Sequence, residues 1–170
     1  MRKTLFLIGM MGCGKSTVGR LLSGMLGCAF VDLDEEIERR EGRSIPEIFA
    51  EGGDASFRLS ETAALREACS ASPCVVATGG GIVTREENIA LMRETGLVVF
   101  LCRPLEDIIA TVRQDTRPNL AGNKEERMRT LYAEREALYR RAAHIAFDNR
   151  MSPYHSAKAL SQAQEIRDIL

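Results

Sequence analysis

Nine consecutive residues near the start of the chain, Gly9-Met10-Met11-Gly12-Cys13-Gly14-Lys15-Ser16-Thr17, fit the pattern G-x-x-x-x-G-K-[ST] without mismatch. Each residue type has a chemical reason to stand where it does. Glycines let a backbone curl until successive N–H groups point at one anion. A lysine after the last glycine reaches the β- and γ-phosphates of a nucleotide, and the hydroxyl beside it can ligate Mg²⁺. The expectation is a nucleoside triphosphate site in which Gly12, Cys13, Gly14, Lys15, Ser16 and Thr17 hold the phosphates.

A second chemical group follows the next apolar run. Asp32 and Asp34 stand two apart at its end. In an extended chain that spacing turns both carboxylates toward one crevice. Asp32 is the expected carboxylate for the water shell of the metal, sharing it with Ser16, and Asp34 is the expected partner of an acceptor hydroxyl. Taken alone, an acidic pair there is equally a solvated helix start, and Glu35 and Glu36 favour that reading. Further on, Gly79-Gly80-Gly81 would let a ligand lie against backbone, or simply make a tight strand-to-helix turn. Arg58 and Arg135 lie in segments with helical spacing, where an isolated arginine is ordinarily solvated.

These groups need a frame, and the apolar pattern supplies one. Short apolar runs at 4–9, 29–32, 74–78 and 97–101, and an alternating stretch at 144–148, read as strands. Between them, helical spacing covers 15–26, 35–40, 45–50 and 57–71, then a helix from Thr84, a long charged one over 125–142 and a last one near Pro153. Ser44 and Glu47 have the spacing of a capping box. The polar stretch 113–124, with Pro118 and Gly122, reads as a loop. About five strands alternating with helices imply an α/β fold, a parallel sheet covered on both faces, in a single domain over 1–170. The glycine loop would then join the first strand to a helix whose positive end faces the same anion, the arrangement of a P-loop NTPase fold.

Composition narrows the partners. The 23 basic and 24 acidic residues nearly cancel to a net charge of −1, which argues against a general nucleic-acid or membrane-surface partner. Cysteines at 13, 28, 69, 74 and 102 form no zinc-like spacing and suit a reducing cytoplasm. Cys13 is expected to be an inert core thiol. With no heptad seam visible, a monomer is the expectation.

Taken in order, Gly9-x-x-x-x-Gly14-Lys15-Ser16-Thr17, Asp32-Leu33-Asp34, Phe57-Arg58-x-x-Glu61, Gly79-Gly80-Gly81, Arg117-Pro118 and Arg135-x-x-Leu138-Tyr139 resemble the shikimate kinase family over most of the chain. The resemblance implies ATP and shikimate as substrates, with Mg²⁺, and phosphorylation of the shikimate 3-hydroxyl. It implies an acceptor-binding segment over 33–61 and a lid over 113–124. It assigns shikimate to Asp34, Arg58, Gly79, Gly80, Gly81 and Arg135, with Asp34 beside the attacking hydroxyl. It makes Lys15, Asp34 and Arg117 the catalytic residues. Arg113, Arg117 and Arg150 join the nucleotide-binding set, Arg150 through the turn from Asp148 to Pro153. The chain departs from the family pattern at Asn119, Ala137, Asp54 and Ala110, where the family has Leu, Pro, Glu and Arg. Two other readings stay open. One is a small kinase for a sugar acid or nucleoside monophosphate, and the other is a nucleotide-switched regulatory protein.

Overall fold

The computed structural model describes residues 4–70, 74–112 and 123–169. Five strands, β1 Thr4–Ile8, β2 Ala29–Asp32, β3 Cys74–Ala77, β4 Gly96–Cys102 and β5 Ile145–Asp148, form one sheet in the order β2-β3-β1-β4-β5. Every pairing is parallel, with Phe6 opposite Val76 on one side and Val98 on the other. Successive side chains of a strand point to opposite faces, yet all five residues of β1 and all four of β3 are buried. Both faces are therefore covered, as a parallel sheet requires. β1 lies at the centre, and the chain leaves it toward β3 and β2 first and toward β4 and β5 later. Loops at the carboxyl ends of the strands consequently open around one crevice, the place where such sheets bind ligands.

The helices fall into two groups. α1 Lys15–Leu26 packs on β2, β3 and α7 Pro153–Gln162, which continues into the short α8 Gln164–Arg167. On the other side α4 Glu86–Thr95 and α6 Lys124–Ala142 pack against β4, α3 Ile45–Ser70 packs on α4, and α5 Leu105–Val112 packs on α6. Close packing explains a glycine here: a Cβ on Gly19 of α1 would meet the Phe30 ring at 2.5 Å. Among the described residues, no helix is long and apolar enough to cross a membrane.

The structure differs from the sequence reading at several boundaries, each for a local reason. The chain stops being extended at Asp32, because that side chain caps α2 Leu33–Glu41 by accepting from Asp34 N at 3.0 Å and Glu35 N at 3.4 Å. Asp34 is thus in a first helical turn, and the two carboxylates do not share a strand face. The expected helices at 45–50 and 57–71 run together as α3, broken at Gly53, whose φ of 69° and ψ of −170° are open to glycine. Ser44 does start α3 with the expected box: Ser44 N donates to Glu47 at 2.7 Å and Glu47 N to Ser44 Oγ at 3.4 Å. Residues 82–84 form a 3-10 turn, so α4 begins at Glu86 rather than Thr84. Asn123 caps α6 by accepting from Glu126 N at 3.2 Å, which places Lys124 in the helix and not in the loop.

Candidate active site

The glycine loop leaves β1 and enters α1 with no side chain capping the helix and no acidic residue in its first turn. Its N-cap, Gly14, has a φ of 99°, which side-chain-bearing residues rarely adopt. The first N–H groups of α1 are therefore left for an outside anion, and the helix dipole favours one. Gly9 is confined sterically, since a Cβ there would meet Cys13 Sγ at 2.9 Å and Leu101 O at 3.0 Å. Lys15 is 7 % exposed and turned inward, its Nζ donating at 2.8 Å to both Gly9 O and Met10 O. The ammonium thus fills the inside of the loop. Beside it, Ser16 Oγ donates to the Asp32 carboxylate. A hydroxyl and a carboxylate in contact, both hard oxygen donors at the mouth of an anion site, suit Mg²⁺, which keeps waters and shares phosphate oxygens. Among the described residues no cluster of three or more His, Cys, Asp or Glu could hold a metal by itself. A magnesium arriving with its phosphates does not need one.

Some distance along the same crevice the three glycines after β3 meet a set of charges. A Cβ on Gly79 would stand 2.7 Å from Glu61 Oε1 and 3.1 Å from Asp34 Oδ1, and one on Gly80 would stand 3.7 Å from Arg135 Nη1. One on Gly81 would collide with the Arg58 guanidinium. Side chains from α2, α3 and α6 thus converge on backbone bare enough to let them in. Arg58 and Arg135 are 7 % and 8 % exposed, not the solvated helix arginines their sequence context suggests. Arg58 Nη1 donates to Glu61 Oε2 at 2.7 Å, and Arg58 stacks over Phe57 at 5.1 Å. Tyr139 OH donates to Gly80 O at 2.5 Å and its ring stacks on Phe100 at 5.2 Å, fixing the glycine turn from behind. Burial pushes the Tyr139 phenol up, so it stays a donor.

Three buried polar atoms of this cluster have no partner: Arg58 Nε, Arg135 Nη1 and Glu61 Oε1. Leaving such groups unpaired costs about 1–3 kcal/mol each. Two guanidinium donors left unpaired at one end of a crevice are a receptor for an anion, and the planar fork of arginine suits a carboxylate. Burial pushes the fully enclosed Glu61 carboxyl up from its ordinary value; Arg58 opposes this and Asp34 adds to it.

Both ends open into one cavity of about 640 Å³, lined by Gly12, Gly14, Lys15, Ser16, Thr17 and Asp32 at the loop end. Asp34, Arg58, Gly79, Gly80, Gly81 and Arg135 line the other end. Cys13 is buried beneath the loop, as an inert thiol would be. Arg150 is not brought to the cavity: it is exposed and pairs with Asp148 at 3.2 Å. Arg113 and Arg117 lie outside the described residues.

The sequence reading gave no role to several residues at this space or behind the loop that borders it. Glu61 had a usable signal, since it lies one helical turn from Arg58, at the i,i+3 spacing of an ion pair. Arg103 and Asn149 had none. They come from the ends of β4 and β5, and only the strand order brings them over the loop, where Arg103 Nη1 donates to Gly12 O at 3.4 Å and Asn149 Nδ2 to Cys13 O at 2.7 Å.

Comparison with known proteins gives a consistent result. A family model described as shikimate kinase matches residues 11–166. The shikimate kinase of Nitrosomonas europaea is 43% identical over 160 residues, 93% of this chain and 74% of that protein. The shikimate kinase of Chromohalobacter salexigens is 49% identical over 144 residues, 84% of this chain and 80% of the relative. Among solved structures, shikimate kinase from Acinetobacter baumannii in complex with shikimate superposes with a TM-score of 0.92 at 38% identity, covering 95% of this chain and 92% of that one. With a glycine loop built for polyphosphate and a buried arginine pair built for an anion in one crevice, and with these likenesses over nearly its whole length, the chain belongs to the shikimate kinase family.

Proposed function

We propose that the protein transfers the γ-phosphoryl group of ATP to the 3-hydroxyl of shikimate, giving ADP and shikimate 3-phosphate, and that the whole chain works as one catalytic domain. One observation carries the reading: a phosphate-binding loop and two buried arginines with unpartnered donors share a single cavity. The acceptor is then a small molecule with a carboxylate for Arg58 and Arg135 and hydroxyls for Asp34 and the glycine turn. A nucleoside monophosphate would need a base pocket in place of this charged end. A nucleotide-switched regulator would have no use for a second anion receptor beside the first.

In this reading Lys15 leaves the loop carbonyls for the β- and γ-phosphates, and the uncapped first N–H groups of α1 hold the remaining oxygens. Ser16 and Asp32 would hold Mg²⁺, which supplies positive charge against the phosphate oxygens. Asp34 orients the attacking hydroxyl and takes its proton as transfer completes. The transition state of phosphoryl transfer is loose, so positioning and charge neutralisation carry most of the catalysis. Arg117, through the proposed lid, which ends before the α6 cap at Asn123, adds a further cation at the transferring group and helps exclude water, with Arg113 on the nucleoside side. The protein works as a cytoplasmic monomer with no nucleic-acid or membrane partner.

The test is ADP release from Mg²⁺–ATP with shikimate, gluconate or a nucleoside monophosphate as acceptor. Stimulation by shikimate alone is expected. ATP binding without such stimulation would discard the acceptor and keep the nucleotide site. A sharper check comes from Gly81, where any Cβ meets the Arg58 guanidinium. Gly81→Ala is expected to raise the KM for shikimate about tenfold, since overpacking of this kind costs about 1–3 kcal/mol, with the KM for ATP held. An unchanged shikimate KM would remove Arg58 from the acceptor site.

A further inference from the structure

Asn149, in the turn after β5, makes two hydrogen bonds of 2.7 Å: its backbone N–H donates to Cys102 O at the end of β4, and its Nδ2 donates to Cys13 O in the glycine loop. The residue is 6 % exposed. Its amide also lies against the last loop glycine, since a Cβ on Gly14 would stand 3.4 Å from Asn149 Nδ2. The other amide atom, Oδ1, is buried without a partner. Rotating the amide would set that oxygen against Cys13 O, acceptor facing acceptor. The need of the loop carbonyl for a donor therefore decides the orientation.

A consequence follows from peptide planarity. Cys13 C=O and Gly14 N–H belong to one trans peptide and point in opposite directions. Holding the carbonyl outward on Asn149 turns the Gly14 N–H away from Asn149, and Gly14 lines the cavity. Arg103 adds a looser contact of the same kind, donating to the preceding carbonyl, Gly12 O, at 3.4 Å. Glycines make the loop able to take this shape, but they also let it take others; a side chain from a neighbouring strand end removes that freedom.

We propose that Asn149 is a positioning residue of the nucleotide site: it sets the Cys13–Gly14 peptide so that its N–H faces the phosphates. The inference rests on the glycine loop being the ATP site. It assigns to the turn 149–152 a role in phosphate binding, through Asn149 and not through the exposed Arg150.

The experiment is calorimetric titration of the full chain with inorganic tripolyphosphate and with ADP, without acceptor, for the wild type, Asn149→Ala and Asn149→Ser. Neither replacement reaches Cys13 O with a donor, so either variant that folds serves. Both ligands are expected to weaken by about tenfold, the size of one hydrogen bond, while the shikimate KM stays near wild type and the melting temperature falls only by the few degrees that one buried hydrogen bond is worth. Tripolyphosphate affinity within twofold of wild type overturns the proposal. So does a loss for ADP alone, which would mean a contact with the nucleoside, and so does an equal loss of shikimate affinity, which would mean general loosening. If the wild type binds neither tripolyphosphate nor ADP, the nucleotide site itself falls, and that result cannot be confused with the others.

Discussion

Replacing Lys15 with alanine is expected to lower turnover by a factor on the order of 10²–10³, the usual cost of removing one preorganised donor from a developing charge. The geometry of the loop explains why the loss should fall on turnover. Lys15 Nζ already sits inside the loop, 2.8 Å from Gly9 O and from Met10 O, and is 7 % exposed. Its partners there are neutral carbonyls. Phosphate oxygens make charge-assisted bonds roughly twice as strong, so the ammonium moves to the nucleotide without crossing solvent. In the proposed reaction, charge builds on the oxygens of the transferring group as the bond to ADP breaks, and Lys15 would meet it. The backbone N–H groups of the loop remain in the variant, so ATP still binds. Steady-state kinetics read this directly: kcat falls, and the shikimate KM stays within about twofold because Lys15 is at the other end of the cavity. Turnover within tenfold of wild type would take Lys15 out of the chemistry.

The contrast between Lys15 and Asn149 shows which parts of this site a sequence can disclose. The glycine loop, its lysine and its serine are consecutive, so their chemistry is written in local order and the structure finds them together. The central strands β1, β3 and β4 were legible for a similar reason, because a run buried on both faces is apolar throughout. Asp34 does reach the far end of the cavity, but not for the reason its spacing suggested. Its carboxylate does face the glycine turn, but from the first turn of α2, since Asp32 spends an oxygen on capping and ends the strand. Arg58 and Arg135 were legible only through the family resemblance. Helical spacing says nothing of a neighbour 77 positions away, and burial turns an ordinary helix arginine into a receptor. Arg103 and Asn149 are further still from local pattern. Each is the first residue after a strand, and strand order alone decides what such a residue overlooks.

Arg58→Ala is expected to raise the KM for shikimate by a factor on the order of 10², because truncating one member of a buried, hydrogen-bonded charge pair costs about 2–5 kcal/mol in binding. The same change should leave a second mark, on stability, whose pH dependence has a definite sign. Glu61 is fully enclosed and Arg58 Nη1, at 2.7 Å, is its hydrogen-bonding cation. Burial already pushes the Glu61 carboxyl up, with Arg58 as the chief opposing influence. Without that guanidinium the carboxyl holds its proton to higher pH still. A carboxyl whose native value lies above the unfolded one, about 4.3, binds its proton more tightly when folded. Its stabilising contribution is complete below the unfolded value and is lost as pH rises through the native one. The variant should therefore lose stability relative to wild type as pH rises from 5 to 8, reaching a deficit of about 3–5 kcal/mol when the unpaired carboxylate is forced to ionise. Urea unfolding at the two pH values measures it, and adding Glu61→Gln to Arg58→Ala should flatten the difference. A deficit equal at pH 5 and pH 8 would mean that Glu61 does not depend on Arg58 for its charge, and the paired-arginine receptor would lose its internal anchor.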